Sequence, residues 1–168
     1  MDGGAPSLRW PEFSRREPEL AGACRRLMYQ FGVGLAFLAT VRADGGPRVH
    51  PMCPIISDDG LFAFLLPSPK RADLHRDPRY AMHSFPADDS EDAFYLTGRA
   101  MAVDDADVRR AVEAQLIAER SLTAAPPGLE EQELFEFALD RCLHTVTKGH
   151  GDLHPAFTRW RSAAADRP

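Results

Sequence analysis

Residues Val33–Leu66 read VGLAFLATVRADGGPRVHPMCPIISDDGLFAFLL, three extended runs cut by two turn signals. Val33–Arg42 is apolar and partly β-branched, as a buried strand requires, and Asp44-Gly45-Gly46-Pro47 supplies the residue types that reverse a chain tightly. Arg48–Ser57 resumes extended character, although Pro51 and Pro54 confine it to an edge or a bulge, because proline gives no N–H to a ladder. Asp58-Asp59-Gly60 turns the chain again into the wholly apolar Leu61–Leu66. Three antiparallel strands in succession are predicted.

The same pattern continues on both sides. Lys70–Arg76 reads as a short helix closed at Asp77-Pro78, since the residue before a proline resists helical geometry. Tyr80–Phe85 and Ala93–Val103 read as further strands around a polar loop at Ala87–Asp92, and Gly98 inside the second marks a bulge or a barrel corner. Upstream, Leu20, Ala23, Cys24, Leu27 and Met28 recur at helical spacing within Glu17–Gln30. Residues 1–15, with Gly3, Gly4, Pro6 and Pro11, read as a flexible arm. Downstream, helices are expected at Asp105–Arg120 and Glu130–Leu139, the latter with Glu130, Glu131, Glu133 and Glu136 on a solvated face, and strands at Arg141–Lys148 and Ala156–Arg161. Six or seven short strands, mostly in hairpins, with helices between them and in front, describe an α+β fold, mainly antiparallel β: a split β-barrel with peripheral helices.

At 168 residues the chain has room for one core, placed at 16–168 behind the arm. Its composition, 44% apolar and 27% charged, is that of a globular protein, and no apolar run is long enough to span a bilayer. A net charge of −5 argues against general affinity for nucleic acid, so any anion site must be a local concentration of cations, suited to a small phosphorylated ligand. Cys24, Cys53 and Cys142 form no disulfide framework, and no secretory signal opens the sequence, so a reducing cytoplasm is expected. Cys142, His144, His150 and His154 lack the tight pairing of zinc signatures, and no metal site is assigned.

The charged exception is Ser68-Pro69-Lys70-Arg71-Ala72-Asp73-Leu74. Lys70 and Arg71 stand where a helix begins, and free amides and the positive dipole end attract phosphate there. Arg48, one short hairpin earlier, offers a planar two-pronged donor to the same group.

Taken in order, Phe37–Val41, Arg48-Val49-His50-Pro51, Phe62–Leu66, Ser68–Leu74 and Asp77-Pro78-Arg79-Tyr80-Ala81 resemble the flavin-binding split-barrel family that includes pyridoxamine phosphate oxidase. The resemblance implies that Arg48 and Lys70 grip the phosphate of flavin mononucleotide (FMN), with Ser68 and Arg71 assisting. It implies that Val49, His50 and Pro51 lie along the ring edge and that a homodimer holds the cofactor at its interface; Trp160, a lone aromatic on the last strand, is a candidate either for stacking near the ring or for core filling. Pro69 stands where the vitamin-forming oxidases carry an arginine, and their Arg-x-His substrate pair is missing, so oxidation of pyridoxamine phosphate is not expected.

The expected activity is that of an FMN-dependent oxidoreductase passing a hydride or electrons to a small organic acceptor. A deazaflavin-dependent reductase on the same barrel is the first alternative; a non-catalytic flavin or haem binder, with His144 or His154 as axial ligand, is the second. The cofactor would carry the chemistry, so no catalytic side chain is assigned.

Overall fold

The computed structural model describes residues 7–163. Eight strands form one sheet: β1 (Ala36–Val41), β2 (Pro47–Met52), β3 (Ile55–Ile56), β4 (Leu61–Leu65), β5 (Arg79–Ser84), β6 (Ala93–Ala102), β7 (Glu133–Val146) and β8 (Ala156–Arg161). Four helices accompany them: α1 (Trp10–Arg16), α2 (Pro18–Met28), α3 (Pro69–Arg76) and α4 (Ala106–Glu119). All strand pairs are antiparallel, in the order β2-β1-β5-β6-β7-β4-β3. The two ends of that path, β2 and β3, are joined by Cys53-Pro54 alone, so the sheet must curl until its edges meet. This is the expected split barrel. The extended run Arg48–Ser57 is therefore two strands, broken at Pro54, and the prolines of β2 sit on a strand with a single neighbour.

Barrel closure rests on β7, which at 14 residues is the longest strand. One edge pairs with β6 throughout. The other is shared by β4 at Glu133–Glu136, by Leu8, which exchanges two backbone hydrogen bonds with Leu139, and by β8 at Arg141–Val146. The helix expected over Glu130–Leu139 is thus a short 3-10 turn, Leu129–Glu131, followed by strand. Phe135, Phe137 and Leu139 alternate into the barrel core while Leu134 joins a second cluster under α4 with Ile55, Phe62, Val112, Leu116 and Leu129. Burial on both faces hides the period-two pattern that marks a half-exposed strand. Glu136, read as solvated, is only 7% exposed and accepts Arg9 Nε at 2.7 Å.

Gly98 does mark a bulge: the β6–β7 register slips between Thr97 and Gly98, and a Cβ at Gly98 would lie 1.8 Å from the Ala138 carbonyl oxygen. The flexible-arm reading fails for residues 8–15. Trp10 and Phe13 of α1 are fully buried, their rings tilted against each other at a 5.6 Å centroid separation, and Leu8 is part of the sheet. Residues 1–6 lie outside the described residues.

Candidate functional site

Helix α3 begins at Pro69, whose fixed φ and missing N–H suit the first helical position. Asp73, 3% exposed, fastens this helix to the sheet. It accepts Arg48 Nε at 2.7 Å, Thr40 Oγ1 at 2.9 Å and Arg76 Nη2 at 3.1 Å. Burial alone would raise the Asp73 pKa, but the Arg48, Thr40 and Arg76 hydrogen bonds outweigh it and hold the carboxyl below its ordinary value. The Arg48 Nε is therefore committed to an internal carboxylate, a partner that the spacing of sequence motifs did not reveal.

The other expected phosphate ligands divide. Arg71 Nη1 donates to the Glu131 carbonyl at 3.2 Å, and its Nε lies 3.6 Å from Glu133, which also holds His75 at 2.8 Å. The Ser68 hydroxyl donates to the Leu66 carbonyl at 2.9 Å. Lys70 differs from all of these: among the described residues it has no hydrogen-bond or ion-pair partner, and it is partly buried. Burial pulls its pKa down, offset in part by Cys53.

Lys70 lines a cavity of about 490 Å³, within the range of roughly 300–1,000 Å³ usual for small-molecule sites. The sheet side of this cavity is Met52, Cys53, Phe64, Leu65 and Leu66. The opposite side comes from α4 and the stretch after it: Leu116, Arg120, Leu122, Pro126, Leu129 and Gln132. That second wall was not foreseen; its signal was only an ordinary amphipathic helix followed by a proline-rich connector. No carboxylate is among the lining residues.

Strand β2 leads into the cavity through Met52. Among the described residues its outer edge has no neighbouring strand, so alternate backbone polar groups from Arg48 to Met52 point away from the sheet. Val49, His50 and Pro51 are exposed along it. Trp160 is not brought to this place within the chain: it pairs with Cys142 near the far end of β7 and packs edge-on against Phe13 at 4.9 Å. His144 and His154 do not line the cavity either. Among the described residues no three His, Cys, Asp or Glu side chains gather as a metal site would, and no helix is long and apolar enough to cross a membrane.

A family model for pyridoxamine 5′-phosphate oxidase matches residues 20–145, three quarters of the chain. The chain belongs to that family. No curated protein matches it significantly. Among solved structures it is similar to HutZ, the heme storage protein from Vibrio cholerae, at 19% identity over 74% of this chain and 89% of that one, with a TM-score of 0.55. It is similar to Campylobacter jejuni ChuZ at 13% identity over 93% and 65% of the two chains, TM-score 0.65, and to an F420 reductase at 20% identity over 70% and 94%, TM-score 0.54. At these identities the likeness is one of fold, and pyridoxamine 5′-phosphate oxidase-like barrels carry different cofactors.

Proposed function

We propose that this protein binds FMN, with the phosphate at Lys70, and works as a homodimeric oxidoreductase on a small organic substrate. The observation that carries the reading is a partly desolvated ammonium group, without a counter-ion among the described residues, lining a cavity of ligand size. An anion supplied by a ligand removes that cost, and the leading N–H groups of α3 beside it have no intrahelical acceptor. Bound flavin supplies hydride and single-electron transfer; Lys70 supplies charge, and the free edge of β2 supplies donors and acceptors for the ring's polar atoms. Arg48 serves the site at one remove, by seating α3 through Asp73.

The outer face of the sheet supports pairing of two copies. Val49, Pro51, Phe37, His83 and Tyr95 share that face by register; Val49 is 59% exposed, and Phe37 stacks on Phe85 at 4.2 Å. An apolar patch of this kind on an edge of the sheet suits an interface. The three unpaired cysteines fit a reducing compartment such as the cytoplasm.

The test is direct. Purified protein should be yellow and release FMN on denaturation, and Lys70→Ala should weaken FMN binding by about ten- to a hundredfold, while Lys148→Ala leaves it within about twofold. Equal effects of the two substitutions would sink the phosphate assignment. A colourless protein that takes up a deazaflavin instead would overturn the cofactor, and tightly bound FMN that no nicotinamide or acceptor reduces or reoxidises would overturn the oxidoreductase reading in favour of a binder.

A further inference from the structure

A second cation without a partner, the exposed Arg120, borders the cavity beside Lys70. Arg120 ends α4, and among the described residues its guanidinium has no hydrogen-bond or ion-pair partner. Its placement is built by the backbone. Leu122 N–H donates to the Ile117 carbonyl at 2.9 Å and Ser121 N–H to the Ala118 carbonyl at 3.1 Å, the paired bonds of a Schellman turn. The chain leaves the helix through Ser121 at φ 52°, so Arg120 and Leu122 both end on the cavity wall. Arg109 stiffens the same wall, donating to the carbonyls of Leu129 at 2.8 Å and Gln132 at 2.9 Å with its guanidinium 5.0 Å from the Phe64 ring centre.

The neighbouring carboxylates do not neutralise this charge. Glu119 is turned to the Tyr29 hydroxyl at 3.1 Å and to Gln115 Nε2 at 2.6 Å, and Glu133 faces His75 and Arg71. Among the described residues the cavity is thus bordered by two cations and no acid, in a chain of net charge −5. Around Arg120 the wall is apolar, and it includes Leu66 and Leu122, which stay 53% and 39% exposed at the opening. An apolar surface ringed by one fixed charge is what recognises an amphipathic ion of the opposite sign.

We infer that the reacting partner of this site is an organic anion with an apolar body, its carboxylate held by Arg120 and its body by Leu66, Leu122 and Leu129. The planar guanidinium takes a carboxylate through two parallel hydrogen bonds, which an ammonium does not. That the anion reacts rests on the flavin reading; the anion subsite itself stands on Arg120 and its wall.

Calorimetric titration of benzoate and of benzylamine into the purified protein, with and without FMN, tests it. Benzoate should bind and benzylamine should not. Arg120→Gln should weaken benzoate about tenfold or more while changing FMN affinity less than about twofold, and Arg120→Lys should recover part of the loss. Arg110→Gln, on the same helix, is the control. Equal binding of benzoate and benzylamine, undiminished benzoate binding in Arg120→Gln, or no benzoate binding at all would overturn the subsite. If Arg120→Gln weakens FMN as much as Lys70→Ala does, Arg120 serves the phosphate and the inference fails while the flavin reading stands. Benzoate binding that depends on Arg120 in a protein with no affinity for FMN supports the subsite and sinks the flavin reading alone.

Discussion

Replacing Asp73 by Asn keeps the size of a buried side chain and removes its charge, and the surrounding donors make the outcome calculable. Arg48 Nε and Thr40 Oγ1 both point at Oδ2, and Arg76 Nη2 points at Oδ1. Whichever way the amide is turned, its NH₂ faces at least one donor, and both arginines lose their counter-charge. Breaking a buried ion pair by removing one partner costs roughly 3–5 kcal/mol. Here the arginine side chains retain 27% and 42% exposure and recover part of their hydration, so a loss of about 2–3 kcal/mol is expected. For a chain of this size that is a fall in Tm of about 4–12 °C, readable by circular dichroism. The pH dependence has a definite sign. The Asp73 carboxyl is held below its ordinary value of 3.8, so its stabilisation is complete above the unfolded value and is lost as pH falls through the lower folded one. Wild type should lose stability more steeply than Asp73→Asn as the solution is acidified through that window. FMN affinity should fall with stability, because α3 carries both Asp73 and Lys70. A Tm within about 2 °C of wild type at neutral pH would refute the reasoning.

Gly98→Ala should destabilise by about 3 kcal/mol or more, since its new methyl meets the Ala138 carbonyl at 1.8 Å inside the β6–β7 ladder; an unchanged urea midpoint would contradict the close approach. Ser121→Gly should raise Tm by roughly 2–4 °C, because glycine accepts the left-handed φ of 52° that costs serine about 1 kcal/mol, and a lowered Tm would count against the Schellman geometry at Arg120. Trp10→Ala should cost about 3–5 kcal/mol by cavity formation, whereas a loose N-terminal arm would tolerate it with no change in the denaturation midpoint.

The barrel was legible where local chemistry and tertiary demand agree. The Asp44–Pro47 and Asp58–Gly60 turns, the apolar runs between them and Gly98 each state a backbone need that any tertiary setting must meet, and all of them stand where expected. The errors fall where tertiary burial overrides a local signal. Residues 134–139 are buried on both sides of β7, so Glu130, Glu131, Glu133 and Glu136 read as one face of a helix; in the fold Glu133 pairs with His75 and Glu136 with Arg9. Trp10 and Phe13 sit among residues that read as an arm, and only their packing under the barrel shows that the arm is core.

The site was harder for a different reason. A sequence shows which cations stand close to one another along the chain; it does not show which acceptors the fold brings to them. Arg48, Arg71 and Lys70 are equivalent as letters in a phosphate-binding pattern, yet folding gives the first to Asp73 and the second to Glu131 and Glu133, and leaves the third facing a cavity. A cation already satisfied by the protein gains little from a ligand, because its bond to the ligand must replace one that it holds, whereas an unpaired and half-desolvated one gains the whole interaction. Binding energy in this barrel therefore concentrates at the half-buried Lys70, with the exposed and unpaired Arg120 across the same cavity. They come from two elements more than forty residues apart in sequence, α3 and the end of α4, so a motif confined to either element cannot reveal the pair.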